Sequence, residues 1–192
     1  MKKIILLITF VTISFSGFSQ LDVKLNALGL ANKKVDLGVE LGADKTSLEL
    51  MAGLNFKPWG DGVTINDQKI STPRFGFNTG LRFNYYFNPS NTLDGWYVSP
   101  YVNYRNETLK PVDENKIAHN RLGTGLIIGR KGMFTDKLGY LVEMGGGYSL
   151  IYKYKDKVTK EVVNMEESIP LFGSLAKIDL PIRVSIFYRI IE

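Results

Sequence analysis

From Arg74 to Phe87 the chain reads RFGFNTGLRFNYYF, and its period is two. Phe75, Phe77, Thr79, Leu81, Phe83, Tyr85 and Phe87 share one face, and Arg74, Gly76, Asn78, Gly80, Arg82, Asn84 and Tyr86 share the other. A helix repeats near 3.6 residues, so an alternation this long excludes one and demands a strand with two unlike faces. The same rhythm predicts strands at about 22–31, 35–41, 46–56, 74–87, 96–105, 121–130, 139–154 and 177–190. Turn residues separate them, among them Asn32, Asp44, Asn88-Pro89, Asp94-Gly95 and Asp136. After two short connections, long loops (57–73, 106–120, 155–176) alternate with turns (88–95, 131–137), and Pro58, Pro73, Pro111 and Pro170 all fall in the long loops. Consecutive hairpins of this kind predict an all-β chain: an eight-stranded antiparallel up-and-down barrel.

Alternation alone fits two opposite proteins, a soluble barrel with an apolar interior or a transmembrane barrel with an apolar exterior. With the first strand left aside, its phase blurred by Leu28, Gly29 and Leu30, charge falls on one face only in this reading: Asp36, Glu40, Glu49, Arg74, Arg82, Arg105, Arg121, Glu143, Lys153, Lys177, Asp179, Arg183 and Arg189. Glycine decides which side that face takes. Gly38, Gly53, Gly76, Gly80, Gly123, Gly125, Gly129, Gly145 and Gly147 share it, against Gly146 alone on the apolar face. On a solvated face glycine only weakens a strand, whereas a crowded eight-stranded interior needs small residues beside large ones. The charged face is therefore expected inside and the apolar face outside, against lipid. Trp96, Tyr97, Tyr140, Phe87 and Tyr188 near the turn ends, and Tyr104, Tyr152, Tyr154 and Phe75 near the loop ends, are expected to form two interfacial girdles.

The N-terminus reads as an export signal. Lys2 and Lys3 precede the apolar run Ile4–Ile13, and Gly17 and Ser19 are the small residues before a cut between Ser19 and Gln20. Residues 1–19 are expected to be removed, leaving residues 20–192 as the barrel domain. The apolar run falls short of the ~20 residues a spanning helix needs. The net charge of +5 falls to +3 without Lys2 and Lys3, too small and too dispersed for nucleic acid.

Several segments resemble small eight-stranded outer-membrane barrels, OmpA-like and OmpX-like in the broad sense. They are KLNALGL (Lys24–Leu30), VDLGVELG (Val35–Gly42), GWYVSPYVNY (Gly95–Tyr104), RLGTGLIIG (Arg121–Gly129) and LPIRVSIFYRI (Leu180–Ile190). More closely, the chain resembles an uncharacterised family of secreted barrels from gram-negative bacteria. The resemblance implies an outer-membrane location, outer-membrane lipid and the barrel assembly machinery as partners, and no catalytic or ligand residues. Barrels of this kind usually end on an aromatic residue. Here Ile190, Ile191 and Glu192 close the chain, which leaves Tyr188 to serve as the assembly signal.

Chemistry is sparse. The lack of cysteine excludes disulfides, thiolate metal sites and a cysteine nucleophile, and a single histidine excludes a multi-histidine metal centre. No cofactor or metal is expected. The lumen set Glu40, Glu49, Arg74, Arg82, Arg105, Arg121, Glu143, Asp179, Arg183 and Arg189 reads as a paired network that fills the barrel, since buried charges survive only when paired. An ion path or an anion site is the competing reading. His119, placed in the loop 106–120, would need a serine such as Ser71 or Ser168 to act as a surface lipid-modifying enzyme, and neither stands in a nucleophile motif. Asp61, Asp67, Asp113, Glu114, Glu166 and Glu167 match no calcium loop, and Trp59 reads as an interfacial anchor. The sequence thus points to a non-enzymatic barrel with a plugged polar lumen. Its expected role is structural or interactive, in membrane integrity, adhesion or display, with outward loops available to an extracellular partner. A narrow pore or small-ligand carrier is the alternative. A lipid-modifying enzyme and a soluble periplasmic barrel rank lower.

Overall fold

The structure, a computed structural model, describes residues 19–56, 63–65, 68–70, 73–87, 89, 93–109, 117–157, 159–163 and 177–191. Strand β1 (Gln20–Asn26) leads into a short helix α1 (Ala27–Ala31). The strands β2 (Lys34–Ala43), β3 (Thr46–Phe56), β4 (Val63–Ile65), β5 (Gln68–Ile70), β6 (Pro73–Phe87), β7 (Gly95–Leu109), β8 (Ile117–Met133) and β9 (Leu138–Asp156) follow. The chain ends with β10 (Val162–Val163), β11 (Ile178–Asp179) and β12 (Ile182–Ile191). The pairing β1-β2-β3-β6-β7-β8-β9-β12 closes where β12 returns to β1, Asn26 opposite Ser185. Every pair is antiparallel and each barrel strand lies beside its chain neighbour, so the molecule is an eight-stranded up-and-down barrel. β4 and β5 make a separate hairpin between β3 and β6, and β10 and β11 extend the β9 edge.

The faces follow the predicted phase. Leu50, Leu81 and Leu126 point outward, exposed by 59%, 48% and 59%, while Glu40, Glu49 and Glu143 are buried inside. The interior glycines make room for large neighbours. A Cβ on Gly129 would stand 2.5 Å from the Tyr97 hydroxyl, and one on Gly123 would stand 2.6 Å from Asn103 Oδ1. Inside the barrel, Tyr86, Leu93, Tyr97, Tyr101, Ile127 and Leu141 form a buried aromatic and aliphatic cluster.

Four readings of the sequence need correction. The predicted strand 22–31 ends at Asn26, because Asn26 caps a helix: its Oδ1 accepts from Gly29 N at 3.0 Å, and Ala27, Leu28, Leu30 and Ala31 are helix formers. The loop 106–120 is mostly strand, since β7 and β8 stay paired as far as Leu109 opposite Ile117, and His119 is thus a buried strand residue. Tyr97 is not in a girdle; it shares the inward phase of Tyr101 and is buried. Finally, a bulge on β9 changes the phase, because Gly123 pairs with Ser149 but Leu122 with Ile151. One residue opposite none reverses every later side chain. Lys153 consequently faces outward and Tyr152 and Tyr154 face inward, against the expectation. Arg130 also faces outward, its guanidinium 5.8 Å from the Trp96 ring centre at the turn end. Charge is therefore absent from the outer face over the strand middles, but not at the strand ends.

Candidate functional site: the charged lumen

Inward positions recur every second residue on each strand, so the eight walls bring charges far apart in sequence into one column. Nearest the turn end, Asp22 of β1 accepts from Lys131 Nζ at 2.5 Å and Arg189 Nε at 3.1 Å. Lys131 also meets Glu40 at 2.5 Å, and Glu40 accepts further from Ser47, Asn84 and Tyr86 at 2.5, 2.7 and 2.7 Å. Lys24 links Glu40 (3.0 Å) to Glu49 (2.6 Å). Arg183 continues the chain, from Glu49 at 2.6 Å to Glu143 Oε2 at 3.1 Å. Glu143 in turn holds Arg82 and takes the Tyr97 hydroxyl at 2.6 Å. These carboxylates are almost wholly buried, and each has at least one cationic partner within salt-bridge distance. Low-dielectric burial of a charge is tolerable only with such partners.

Toward the loop end the density falls. Asp179 accepts from Tyr101 (2.8 Å), Asn103 (3.0 Å) and Arg121 (3.2 Å). Asp36 is held by the amides of Asn26 and Asn78 at 3.0 and 2.9 Å. Glu107 takes Asn55 at 3.0 Å and lies 3.8 Å from Arg105 and 3.7 Å from His119 Nδ1. The His119 ring stacks on Tyr154 with centroids 4.5 Å apart, and its Nε2 has no hydrogen-bond partner among the described residues. Between these groups and the Arg82–Arg183 layer lies a cavity of about 470 Å³.

Of the charges singled out in the sequence, Glu40, Glu49, Arg82, Glu143, Arg183 and Arg189 meet in the lower column; Arg105, Arg121 and Asp179 stand in the looser upper tier. The side chain of Arg74 lies outside the described residues. So do Ser71 and Ser168, the loop acids Asp61, Asp67, Asp113, Glu114, Glu166 and Glu167, and Trp59. Sequence reasoning missed Asp22 and Lys24, although they alternate with Leu21, Val23 and Leu25; the helical run after Asn26 hid that phase. It also missed Lys131, assigned to a turn, and Glu107, assigned to a loop.

Residues 3–181 match the family described as "Protein of unknown function (DUF3575)". No curated protein and no solved structure matches the chain.

Proposed function

The chain belongs to this family of unknown function, and from that premise we propose that it is a small outer-membrane barrel, closed to ions, whose role is structural or interactive. Its apolar face meets lipid and its loop end meets the exterior. One observation carries this reading: the inverted distribution, with Leu37, Leu50, Leu81, Leu126, Val142 and Met144 exposed around the wall and Glu40, Glu49, Lys24 and Lys131 buried within it. A soluble monomer rarely exposes an apolar patch above a few hundred Å², and a belt on every barrel strand favours a lipid solvent. The described residues contain no helix long and apolar enough to cross a membrane.

Closure follows from the column itself. Eight strands enclose just enough space for side chains, and in this reading the Asp22–Lys131–Glu40–Lys24–Glu49–Arg183–Glu143–Arg82 chain fills it together with the aromatic cluster interleaved with it, Tyr86 on Glu40 and Tyr97 on Glu143. A pore is the less favoured reading for that reason. Export by a signal cleaved after Ser19, insertion by the barrel assembly machinery and a partner at the loops belong to the same proposal. Cell fractionation and electrophoresis test it. The protein is expected in the outer membrane, with the folded form in detergent migrating differently before and after boiling. Recovery in the soluble periplasm without detergent overturns it.

A further inference from the structure

The cavity on the loop side of Arg82 and Arg183 joins two chemistries. Its charged lining includes Lys34, Arg82, Arg105 and Arg183 with Asp36 and Asp179; Arg82 and Arg183 are already held by Glu143 and Glu49, which leaves Lys34 and Arg105 as its loosely held cations. Arg105 is loosely held, with 31% of its side chain exposed and its carboxylate partner 3.8 Å away. The remaining lining includes Leu28 of α1, Leu180 and Ile182, which stand exposed on the outer wall, and the half-buried Pro181. One space thus touches the charged lumen and the apolar exterior.

The wall explains how. β1 pairs with β12 only as far as Asn26 opposite Ser185, where α1 replaces the strand. Segment 180–184 therefore has α1, not a strand, on its β1 side. On its other side Pro181 has no N–H to give β9, and the remaining bond runs from Gly145 N to the Pro181 carbonyl at 2.9 Å. The ladder is thus weakened on both flanks. The height of this seam matters. The seven residues of β1, at ~3.4 Å each and ~40° tilt, rise about 18 Å from the turn end, short of the ~25 Å apolar band of such barrels. The seam starts inside that band, on the loop-side leaflet, and Leu28, Leu180 and Ile182 beside it are exposed.

We propose that this seam admits a single-chain amphiphile with an anionic head from the loop-side leaflet. The head sits in the cavity beside Arg105 and Lys34, and the chain leaves between α1 and segment 180–182. At about 470 Å³ the cavity lies in the lower part of the ~300–1,000 Å³ range of small-molecule sites, which suits one head with part of one chain. The loosely held pair Lys34 and Arg105 selects an anion, and the apolar exit requires a chain.

The inference rests on the membrane reading, and the two fail separately. The protein is first placed in nanodiscs of neutral lipid; failure to incorporate overturns the membrane reading itself. Incorporated protein is then irradiated with a long-chain fatty acid carrying a diazirine, and the adducts are mapped by mass spectrometry. Saturable labelling of residues 27–31 and 180–182 is expected, competed by unlabelled fatty acid and not by the alkylamine of equal length or by inorganic phosphate. The Lys34→Gln/Arg105→Gln variant, checked for folding by its migration before boiling, is expected to bind about tenfold more weakly, as loss of a charge-assisted contact implies. Labelling spread evenly over Leu50, Leu81 and Leu126 overturns the proposal. Unchanged binding by the double variant, or full competition by phosphate alone, overturns it as well.

Discussion

Glu143 is the most heavily used carboxylate in the upper half of the charge column, and its removal tests whether the lumen works by pairing. It holds Arg82, accepts from Arg183 at 3.1 Å and takes the Tyr97 hydroxyl at 2.6 Å, with only 2% of its surface exposed. In Glu143→Ala, Arg82 loses its carboxylate, whereas Arg183 keeps Glu49 at 2.6 Å. Stranding a buried charge costs about 3–5 kcal/mol; with Arg183 still paired, a loss near the lower end, about 3 kcal/mol, is expected. Glu143→Gln keeps the shape and an acceptor for Tyr97, and should fall between the variant and the wild type. Urea unfolding in lipid vesicles, read by the migration of unboiled samples, gives the magnitude. A loss below about 1 kcal/mol, the scale of an exposed pair, would mean that the carboxylate is hydrated, and the pairing argument would fail there. Planar-bilayer recordings complete the test. Neither protein should conduct steadily, because Tyr97, Arg82 and Arg183 still fill the space in the variant; steady conductance by the wild type contradicts a closed lumen.

Three further outcomes follow from the same geometry. Leu81→Arg, outward and near the middle of β6, should cost about 2–4 kcal/mol or block assembly, whereas Asn78→Ser, inward, should cost only about 1 kcal/mol through its lost bond to Asp36; equal effects in refolding yields would refute the face assignment. Gly129→Ala should lower stability by about 1–3 kcal/mol in the same urea assay, because its Cβ would stand 2.5 Å from the Tyr97 hydroxyl; a neutral result would mean that Tyr97 has room to move. N-terminal sequencing of the exported protein should begin at Gln20; a retained Met1 would contradict signal cleavage.

What the sequence made legible was whatever obeys a strict period. β6 could be read residue by residue because its alternation is unbroken from Phe75 to Phe87, and the interior glycines marked the crowded side. Two failures share one cause, a local rule that broke the alternation: the Asn26 cap turned the chain into α1, and the bulge opposite Leu122 and Gly123 reversed the far half of β9. A third is non-local: pairing with β8 carried β7 through residues that read as loop. Cap chemistry was visible in Asn26-Ala27-Leu28-Gly29. The bulge was not, because Leu150, Ile151 and Tyr152 fit either phase. The site was half legible for the same reason. Arg82, Glu49 and Arg183 could be assigned to the lumen from their phase, but their partners are set by the register of strands far apart in sequence. No local pattern states that Glu143 meets Arg82 or that Lys131 meets Asp22.

Spin labels test the inverted faces most directly, and the absence of cysteine makes each site clean. Single cysteines at Leu50, Leu81 and Val142, outward, and at Ser99 and Asn84, inward, would carry nitroxides in lipid vesicles. Oxygen gathers in hydrocarbon and a nickel chelate stays in water. The outward labels should meet oxygen strongly and nickel weakly, and the inward labels should meet neither well and move little. Outward labels open to the nickel chelate, with no preference for oxygen, would contradict a lipid-facing apolar wall.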